Sequence, residues 1–254
     1  MGKKVKAALI IIGDEILSGR TKDANLNYLA NWLNGIGVVL DEVRVIPDFA
    51  QRIIDNVNDC RFQFDYLFTT GGIGPTHDDI TAENVAKAFG VPLTLNEDAK
   101  KMLADAVGTD NLTPARLKMA MIPEGASLIK NPVSAAPGFQ MENVFVLAGI
   151  PVVMQGMLLD IEHRISGGAK ILSKALHVFA GESIFADILV EVENSYEYLS
   201  IGSYPFYKAG SYGATFILRT VIESDLNKAY MELQDKISKK GFESFEGEAL
   251  QGHN

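Results

Sequence analysis

The sequence predicts an α/β fold in which a parallel sheet carries helices on both faces, giving three layers, followed by a second, smaller α+β domain. The run KVKAALIII at 4–12 is apolar almost throughout, which is typical of a strand covered on both faces. Strand and helix patterns then alternate through the first 165 residues with short connections, and this alternation favours a parallel sheet. Ligands in that architecture bind outside the carboxyl ends of the strands.

Helix and strand signals can be assigned in order along the first domain. Gly35 and Gly37 are stop signals for the first helix. Asp48 with Gln51 three residues later reads as a capping box that opens a helix. The predicted elements are a strand at 4–12, a helix at 24–34, strands at about 38–46 and 65–70, a helix from Thr81 to a stop at Gly90, a helix capped by Asn96, and a short helix with Pro114 at its first position.

A polar, glycine-containing joint, HRISGGAK at 163–170, separates the two domains. We place the first domain at 1–167, the second at 168–245 and a tail at 246–254, with fraying expected beyond about 242. The elements predicted for the second domain are a strand at 170–179, a helix at about 182–193, strands near 201–207 and 214–221, and a helix at 224–239 whose apolar stripe packs on the sheet.

Composition narrows the class of protein. The 254 residues are 47% hydrophobic, and 32 acidic against 23 basic side chains give a net charge of −9. This charge disfavours a broad nucleic-acid surface but permits a local cationic pocket. Cys60 is the single cysteine, which excludes an internal disulfide and a cysteine-built zinc site. The early apolar run is too short to span a membrane and no cleavage site follows it, so we expect a cytoplasmic protein without a membrane partner.

The most informative stretch is the loop FTTGGIGPTHDDIT at 68–81, between a strand and a helix. Exposed N–H groups and the helix dipole favour an anion at such a place. Gly71, Gly72 and Gly74 permit close approach of the backbone to a phosphate, and Thr76 can donate a hydrogen bond. Glycines are also common turn residues, and the loop matches neither the nucleotide P-loop nor G-x-G-x-x-G.

Acidic residues surround this loop in the sequence. Asp78 and Asp79 would repel an anion unless a divalent cation intervenes or one of them acts as a base, which indicates magnesium-assisted chemistry on a phosphate ester. The alternative is that one of them caps the next helix. Asp48, at the end of the second strand, faces the presumed crevice, yet the capping box explains it equally well. Arg20 and Lys22 are either phosphate neutralisers or solvated loop residues.

Several motifs together resemble a known family. They are GDEILSG at 13–19, ANLNYLANWLNGIG at 24–37, VIPD at 45–48 and TTGGIGPTHDDIT at 69–81, with APGF at 136–139 and LAGIP at 147–151. They look like the molybdopterin-binding domain of the molybdenum-cofactor proteins MogA and MoaB and of the competence/damage-inducible protein CinA. The PTHDD form is similar to the CinA branch, and Ala148 stands where that family usually has proline.

The second domain also has a resemblance. IGSYPFY at 201–207 and ATFILRT at 214–220 look like the KH-type domain of CinA-like proteins and of the amino-terminal half of eukaryotic FAD synthases. Because 169–245 lacks the basic surroundings that an RNA-binding clamp needs, we expect no RNA binding. The chain also stops before the deamidase domain that usually follows in CinA, so we expect no deamidation of nicotinamide mononucleotide.

Three alternatives for the function are open, and the resemblance implies the first two. In the CinA branch it implies divalent-metal-dependent pyrophosphate hydrolysis of ADP-ribose or a similar nucleotide, and in the FAD-synthase relatives hydrolysis of FAD. In the MogA branch it implies binding and adenylation of molybdopterin. A binding module without turnover is the third alternative. We expect the pyrophosphatase, with Mg, Mn or Co as the metal, a nucleotide or pterin as the ligand, and a homo-oligomer of two or three chains.

The resemblance also assigns roles to residues. Asp48 and Asp79 match the two acidic positions assigned to catalysis in the MogA branch. The expected phosphate- and ligand-binding residues are Gly71, Gly72, Gly74, Thr76, Asp14 and Asn25, and the expected metal ligands are Asp78, Asp79 and Glu15. A helix-start role remains an equal alternative for Asn25.

Overall fold

In the computed structural model, which describes residues 4–208 and 210–247, the apolar run near the start of the chain forms strand β1 (Val5–Ile12). Its side chains from Ala7 to Ile12 are at most 3% exposed. Because alternate side chains point to opposite faces, β1 contributes Ala8, Ile10 and Ile12 to one core and Ala7, Leu9 and Ile11 to another. The prediction of a strand covered on both faces is confirmed.

The chain divides into two compact units, one through Gly168 and one from Ala169. The remaining elements of the first unit are α1 (Asp14–Leu17), α2 (Asn25–Gly35), β2 (Val38–Ile46), α3 (Ala50–Gln63), β3 (Tyr66–Thr70), α4 (Thr81–Phe89), β4 (Leu93–Leu95), α5 (Glu97–Val107), α6 (Pro114–Lys118), β5 (Met121–Pro123), β6 (Ser127–Ile129), β7 (Gly138–Met141), β8 (Val144–Leu147) and α7 (Pro151–Ile161).

The sheet of the first unit has the strand order β2-β1-β3-β8-β7-β6. Strands β2, β1, β3 and β8 run parallel, whereas β7 is antiparallel to both of its neighbours. The sheet is therefore mixed and mostly parallel: the predicted parallel arrangement holds for β2, β1, β3 and β8, and β7 is the exception. Only Glu142 and Asn143 separate β7 from β8, and a connection this short permits a hairpin but no crossover helix.

Helices cover both faces of this sheet. One core contains buried residues of α3, α4 and α5, such as Val57, Val85 and Leu103. The other contains residues of α2 and α7, such as Leu33 and Met154. The predicted three-layer α/β class is confirmed, and the carboxyl ends of β1, β2, β3 and β8 meet at one edge of the sheet because these strands are parallel.

Of the three helix starts predicted from a cap or an initial proline, two are correct and one is wrong. Asn96 Oδ1 accepts a hydrogen bond from Ala99 N at 2.9 Å and caps α5, and Pro114 is the first residue of α6. The capping box at Asp48 is wrong, because α3 begins at Ala50 after Phe49 and has no side-chain cap. The carboxylate of Asp48 is used elsewhere, in the site described below.

The second unit contains β9 (Leu172–Val178), α8 (Ala186–Asn194), β10 (Ser200–Lys208), β11 (Ser211–Thr220), α9 (Glu223–Lys239) and β12 (Ser244–Gly247). Its sheet, ordered β10-β11-β9-β12, is antiparallel throughout. The apolar stripe of α9 is buried as predicted, from Leu226 to Ile237. The helix predicted at 182–193 is a 3-10 turn at Glu182–Ile184 followed by α8.

The end of the second unit differs from the prediction. The sequence predicts fraying beyond about 242, but β12 pairs with β9, with Ser244 opposite Val178. Residues 248–254 of the predicted tail lie outside the described residues. Among the helices that the structure describes, none is long and apolar enough to cross a membrane.

Candidate active site

The glycine loop is fixed to the carboxyl edge of the sheet. Gly71 N donates to Leu147 O at 3.2 Å, and Thr81 at the start of α4 donates through its hydroxyl to Gly71 O at 3.0 Å and through its amide to Gly72 O at 2.9 Å. Gly71 has φ +100°, and a Cβ there would lie 2.1 Å from Ile12 O at the end of β1. Because this space belongs to another backbone, the turn requires glycine.

The two aspartates of the loop hold its tip. Thr76 N donates to Asp79 Oδ2 at 2.8 Å, and the Thr76 hydroxyl lies 2.6 Å from the same oxygen and also contacts the Asp78 carboxylate. This hydroxyl hydrogen bond lowers the pKa of Asp78. Neither aspartate caps α4, whose N-cap is Ile80 with no side-chain hydrogen bond. The capping alternative for this pair is therefore wrong.

Asp48 joins the ends of β1 and β2 to the loop. Its Oδ2 accepts a hydrogen bond from Asp14 N at 3.0 Å, and its Oδ1 lies 3.6 Å from the position a Cβ would occupy on Gly72. Burial raises the pKa of the Asp48 carboxyl, and the charges of Asp14, Glu15 and Asp78 raise it further, against the lowering effect of the hydrogen bond from Asp14 N. Asp48 is therefore a stronger base than an ordinary aspartate.

The second loop aspartate has a similar position at the next glycine. A Cβ on Gly74 would lie 2.7 Å from Asp79 Oδ2 and 2.9 Å from Asp79 Oδ1. One carboxylate thus lies beside each of two loop glycines, Asp48 at Gly72 and Asp79 at Gly74.

The predicted metal ligands are not assembled into one cluster. Within residues 4–208 and 210–247, no group of three or more histidine, cysteine, aspartate or glutamate side chains is placed to hold a metal ion. Glu15 therefore does not complete a three-carboxylate site with Asp78 and Asp79. The oxygen donors still suit Mg²⁺, which commonly binds through one or two carboxylates together with substrate phosphates and water.

Asn25 connects α2 to the loop that follows β8. It is 4% exposed, and its Nδ2 donates to Gly149 O at 2.7 Å. A Cβ on Gly149 would lie 3.2 Å from Gly71 Cα, so Asn25 supports the glycine loop from behind. Its Oδ1 is buried and has no hydrogen-bond partner among the described residues, as is also true of Thr70 Oγ1 at the end of β3. Buried polar atoms of this kind normally bond to water or ligand.

A cleft of about 210 Å³ opens beside the loop tip. We call it the side cleft. It is lined by Ile73, Gly74, Asp79, Ala82, Glu83, Leu93, Lys118, Met119, Met121, Ile122, Pro137 and Phe139. Lys118 of α6 donates from Nζ to Thr76 O. Sequence reasoning missed Lys118 because it lies 42 residues from Thr76 and belongs to no motif of the loop.

Comparison with known proteins identifies the family. Residues 8–165 match the family model described as a probable molybdopterin binding domain, and residues 170–246 match the model described as the FAD synthase middle domain. Because the first match covers more than half of the chain, this protein belongs to the family of probable molybdopterin-binding domain proteins.

Individual relatives refine this placement to CinA-like proteins. A protein of Archaeoglobus fulgidus is 33% identical over 197 residues, which are 78% of this chain and 84% of the relative. A Halothermothrix orenii protein, named for competence-damage induction, is 33% identical over 202 residues. These are 74% of this chain but 48% of that relative, so this chain spans about half of its length. The crystal structure of the protein CinA from Thermoplasma acidophilum aligns with a TM-score of 0.60 and 35% identity, covering 64% of this chain and 99% of that one.

Proposed function

We propose that this protein is a divalent-metal-dependent pyrophosphatase that hydrolyses ADP-ribose, FAD or a similar dinucleotide. The observation that carries the proposal is the placement of one carboxylate beside each of two loop glycines, Asp48 at Gly72 and Asp79 at Gly74. Metal-assisted phosphoryl chemistry needs backbone N–H groups that hold the phosphate and carboxylates close to it. The glycine loop and these two aspartates could supply both. The match of 170–246 to the FAD synthase middle domain supports a dinucleotide ligand.

In this proposal the chain's own residues hold the pyrophosphate and accept a proton. The loop backbone binds the phosphate groups, and Asp48 accepts a proton from the water that attacks one phosphorus atom, which its raised pKa favours. The bridging P–O bond breaks, and its electron pair leaves with the other phosphate. Products are AMP with ribose 5-phosphate from ADP-ribose, or AMP with FMN from FAD. Mg²⁺, Mn²⁺ or Co²⁺ held by Asp78 or Asp79 would neutralise phosphate charge.

The test is turnover of ADP-ribose and FAD with each metal, with products separated by chromatography. We expect AMP from the native protein and a loss of at least about a hundredfold in kcat for Asp79→Asn. Asp105→Asn is the matched control, because Asp105 is an exposed carboxylate on α5, outside the loop. A fully active Asp79→Asn protein, or no AMP with any metal, would refute the proposal.

The family description favours a second candidate. A probable molybdopterin-binding domain suits a pterin phosphate, which the same loop could hold while an adenylyl group is transferred to it. Protein purified with a fluorescent pterin would support this alternative. Saturable binding of ADP-ribose without any hydrolysis would instead support a binding module without turnover.

A homo-oligomer also remains part of the proposal. Helix α7 buries Met154 and Leu158 but leaves Val152 57% and Leu159 68% exposed. A helix that carries apolar side chains on its exposed face, in addition to its buried face, is typical of a protein–protein interface. Light scattering should give a dimer or trimer for the native protein, and a smaller species for Leu159→Asp.

The KH-type assignment of the second unit remains a prediction.

A further inference from the structure

The acidic character of the site raises a charge problem that the loop alone does not solve. The pKa of Asp48 is raised by the charges of three nearby carboxylates, those of Asp14, Glu15 and Asp78. A pyrophosphate entering here meets carboxylates, and a metal ion on one or two of them offsets only part of this repulsion. A protein cation directed at the loop would offset more.

Lys118 is a protein cation directed at the loop. Its Nζ donates to the carbonyl oxygen of Thr76, and its charge, with that of His77, contributes to the lowered pKa of Asp78. Among the described residues Lys118 has no carboxylate within ion-pair distance, unlike Lys87 and Lys100 on the neighbouring helices, which pair with Glu83 and Glu97. The ammonium group has three N–H donors, and the contact with Thr76 uses one.

The position of Lys118 differs from that of a lysine that merely stabilises a helix end. Such a lysine would bond to the last carbonyls of its own helix, whereas Lys118 reaches across to the loop tip. It is half-buried, and it lines the side cleft together with Asp79. Its two remaining donors are therefore available at the point where the loop, Asp79 and the side cleft meet.

The volume of the side cleft limits the size of the ligand group that can bind beside Lys118. Its volume of about 210 Å³ is below the roughly 300–1,000 Å³ that a whole drug-sized ligand fills. Ile73, Leu93, Met121 and Phe139 give it apolar walls. It suits one ring or sugar of a larger ligand whose phosphate remains at the loop.

We propose that Lys118 binds the phosphoryl group of the ligand at the mouth of the side cleft while keeping its contact with the loop. It thereby selects ligands with a phosphate between the glycine loop and the cleft. This inference rests on the proposed function to the extent that the ligand is a phosphate ester. It does not require that the ester be hydrolysed.

The test is calorimetric titration of the full chain with sodium pyrophosphate and, separately, with ADP-ribose, each with Mg²⁺. Lys118→Met removes the charge and keeps the length of the side chain, and Lys118→Arg keeps the charge. Lys100→Met is the matched control, because Lys100 is a lysine of α5 that does not line the side cleft. We expect Lys118→Met to weaken binding of both probes roughly tenfold to a hundredfold, as for loss of a hydrogen bond to a charged group. Lys118→Arg should recover most of this loss, and Lys100→Met should bind like the native protein.

The outcomes separate this inference from the proposed function. Equal affinity of Lys118→Met and native protein, weakening for ADP-ribose alone, or no binding of either probe to native protein would each overturn it. Loss of binding in Lys118→Met without rescue by Lys118→Arg would show a structural role and also overturn it. If the native protein binds both probes through Lys118 but releases no AMP, the proposed hydrolysis fails and this inference stands.

Discussion

Replacing Gly71 by alanine tests the geometry of the loop most directly. The residue has φ +100°, and the added Cβ would lie 2.1 Å from Ile12 O. A side chain at positive φ costs about 1–2 kcal/mol, and forcing an atom into packed structure costs about 1–3 kcal/mol. We therefore expect Gly71→Ala to lower the free energy of unfolding of the first unit by about 2–5 kcal/mol.

Gly90→Ala is the matched control. Gly90 ends α4 with φ +66°, and no atom of the described residues, its chain neighbours aside, lies within 4 Å of its Cβ position. Only the conformational cost of about 1–2 kcal/mol therefore applies. Trp32 is the sole tryptophan and packs against Phe68 of β3 at 6.4 Å between ring centroids. Its fluorescence during urea unfolding thus reports on the first unit. Equal losses in the two variants would refute the steric argument.

Three further predictions concern single groups. Asp48→Asn should stabilise the first unit at neutral pH by less than about 1 kcal/mol, because solvent screens a partly buried charge. The pKa of Asp48 is raised in the folded state, so its ionised form destabilises the folded protein increasingly as pH rises through that pKa. Urea titrations should therefore show that the stability advantage of Asp48→Asn shrinks in acid. An advantage that does not change with pH would contradict this. Burial raises the pKa of the Cys60 thiol to about 11, so a thiol reagent should label Cys60 at neutral pH only on unfolding, and rapid labelling of native protein would contradict this. Tyr230 OH is buried and has no hydrogen-bond partner in the part of the chain that the structure describes. Thermal unfolding should therefore show Tyr230→Phe unchanged or stabilised by about 1 kcal/mol; a large loss would contradict this.

The fold was largely predictable because its strongest signals are local. β1 is apolar throughout, and Asn96 and Pro114 mark helix starts by chemistry that needs no distant partner. The antiparallel β7 was not predictable in this way. Its direction depends on the short turn at Glu142, which has φ +51°, and a non-glycine residue in that conformation gives no clear sequence signal.

The place of the glycine loop between β3 and α4 was predictable from the sequence, but its long-range contacts were not. Gly71 and Gly72 lie next to each other in the sequence, and their spacing to Asp79 is visible there. Lys118 reaches Thr76 only because α6 packs near the loop, and no local pattern contains that information. The support that Asn25 gives through Gly149 O spans 124 residues and is hidden for the same reason.

Asp48 shows how a correct local rule can give the wrong role. Asp with Gln three residues later is a good helix start, and the prediction failed because Asp14 N, brought alongside by the parallel pairing of β1 with β2, takes the carboxylate instead. Gln51 donates to Asp55 at 2.8 Å within α3. The helix therefore begins without a cap, and Asp48 lies at Gly72. If Asp48 capped α3, its carboxylate would already be used and a catalytic role would be doubtful. Because Asp48 does not cap the helix, its carboxylate is a candidate base.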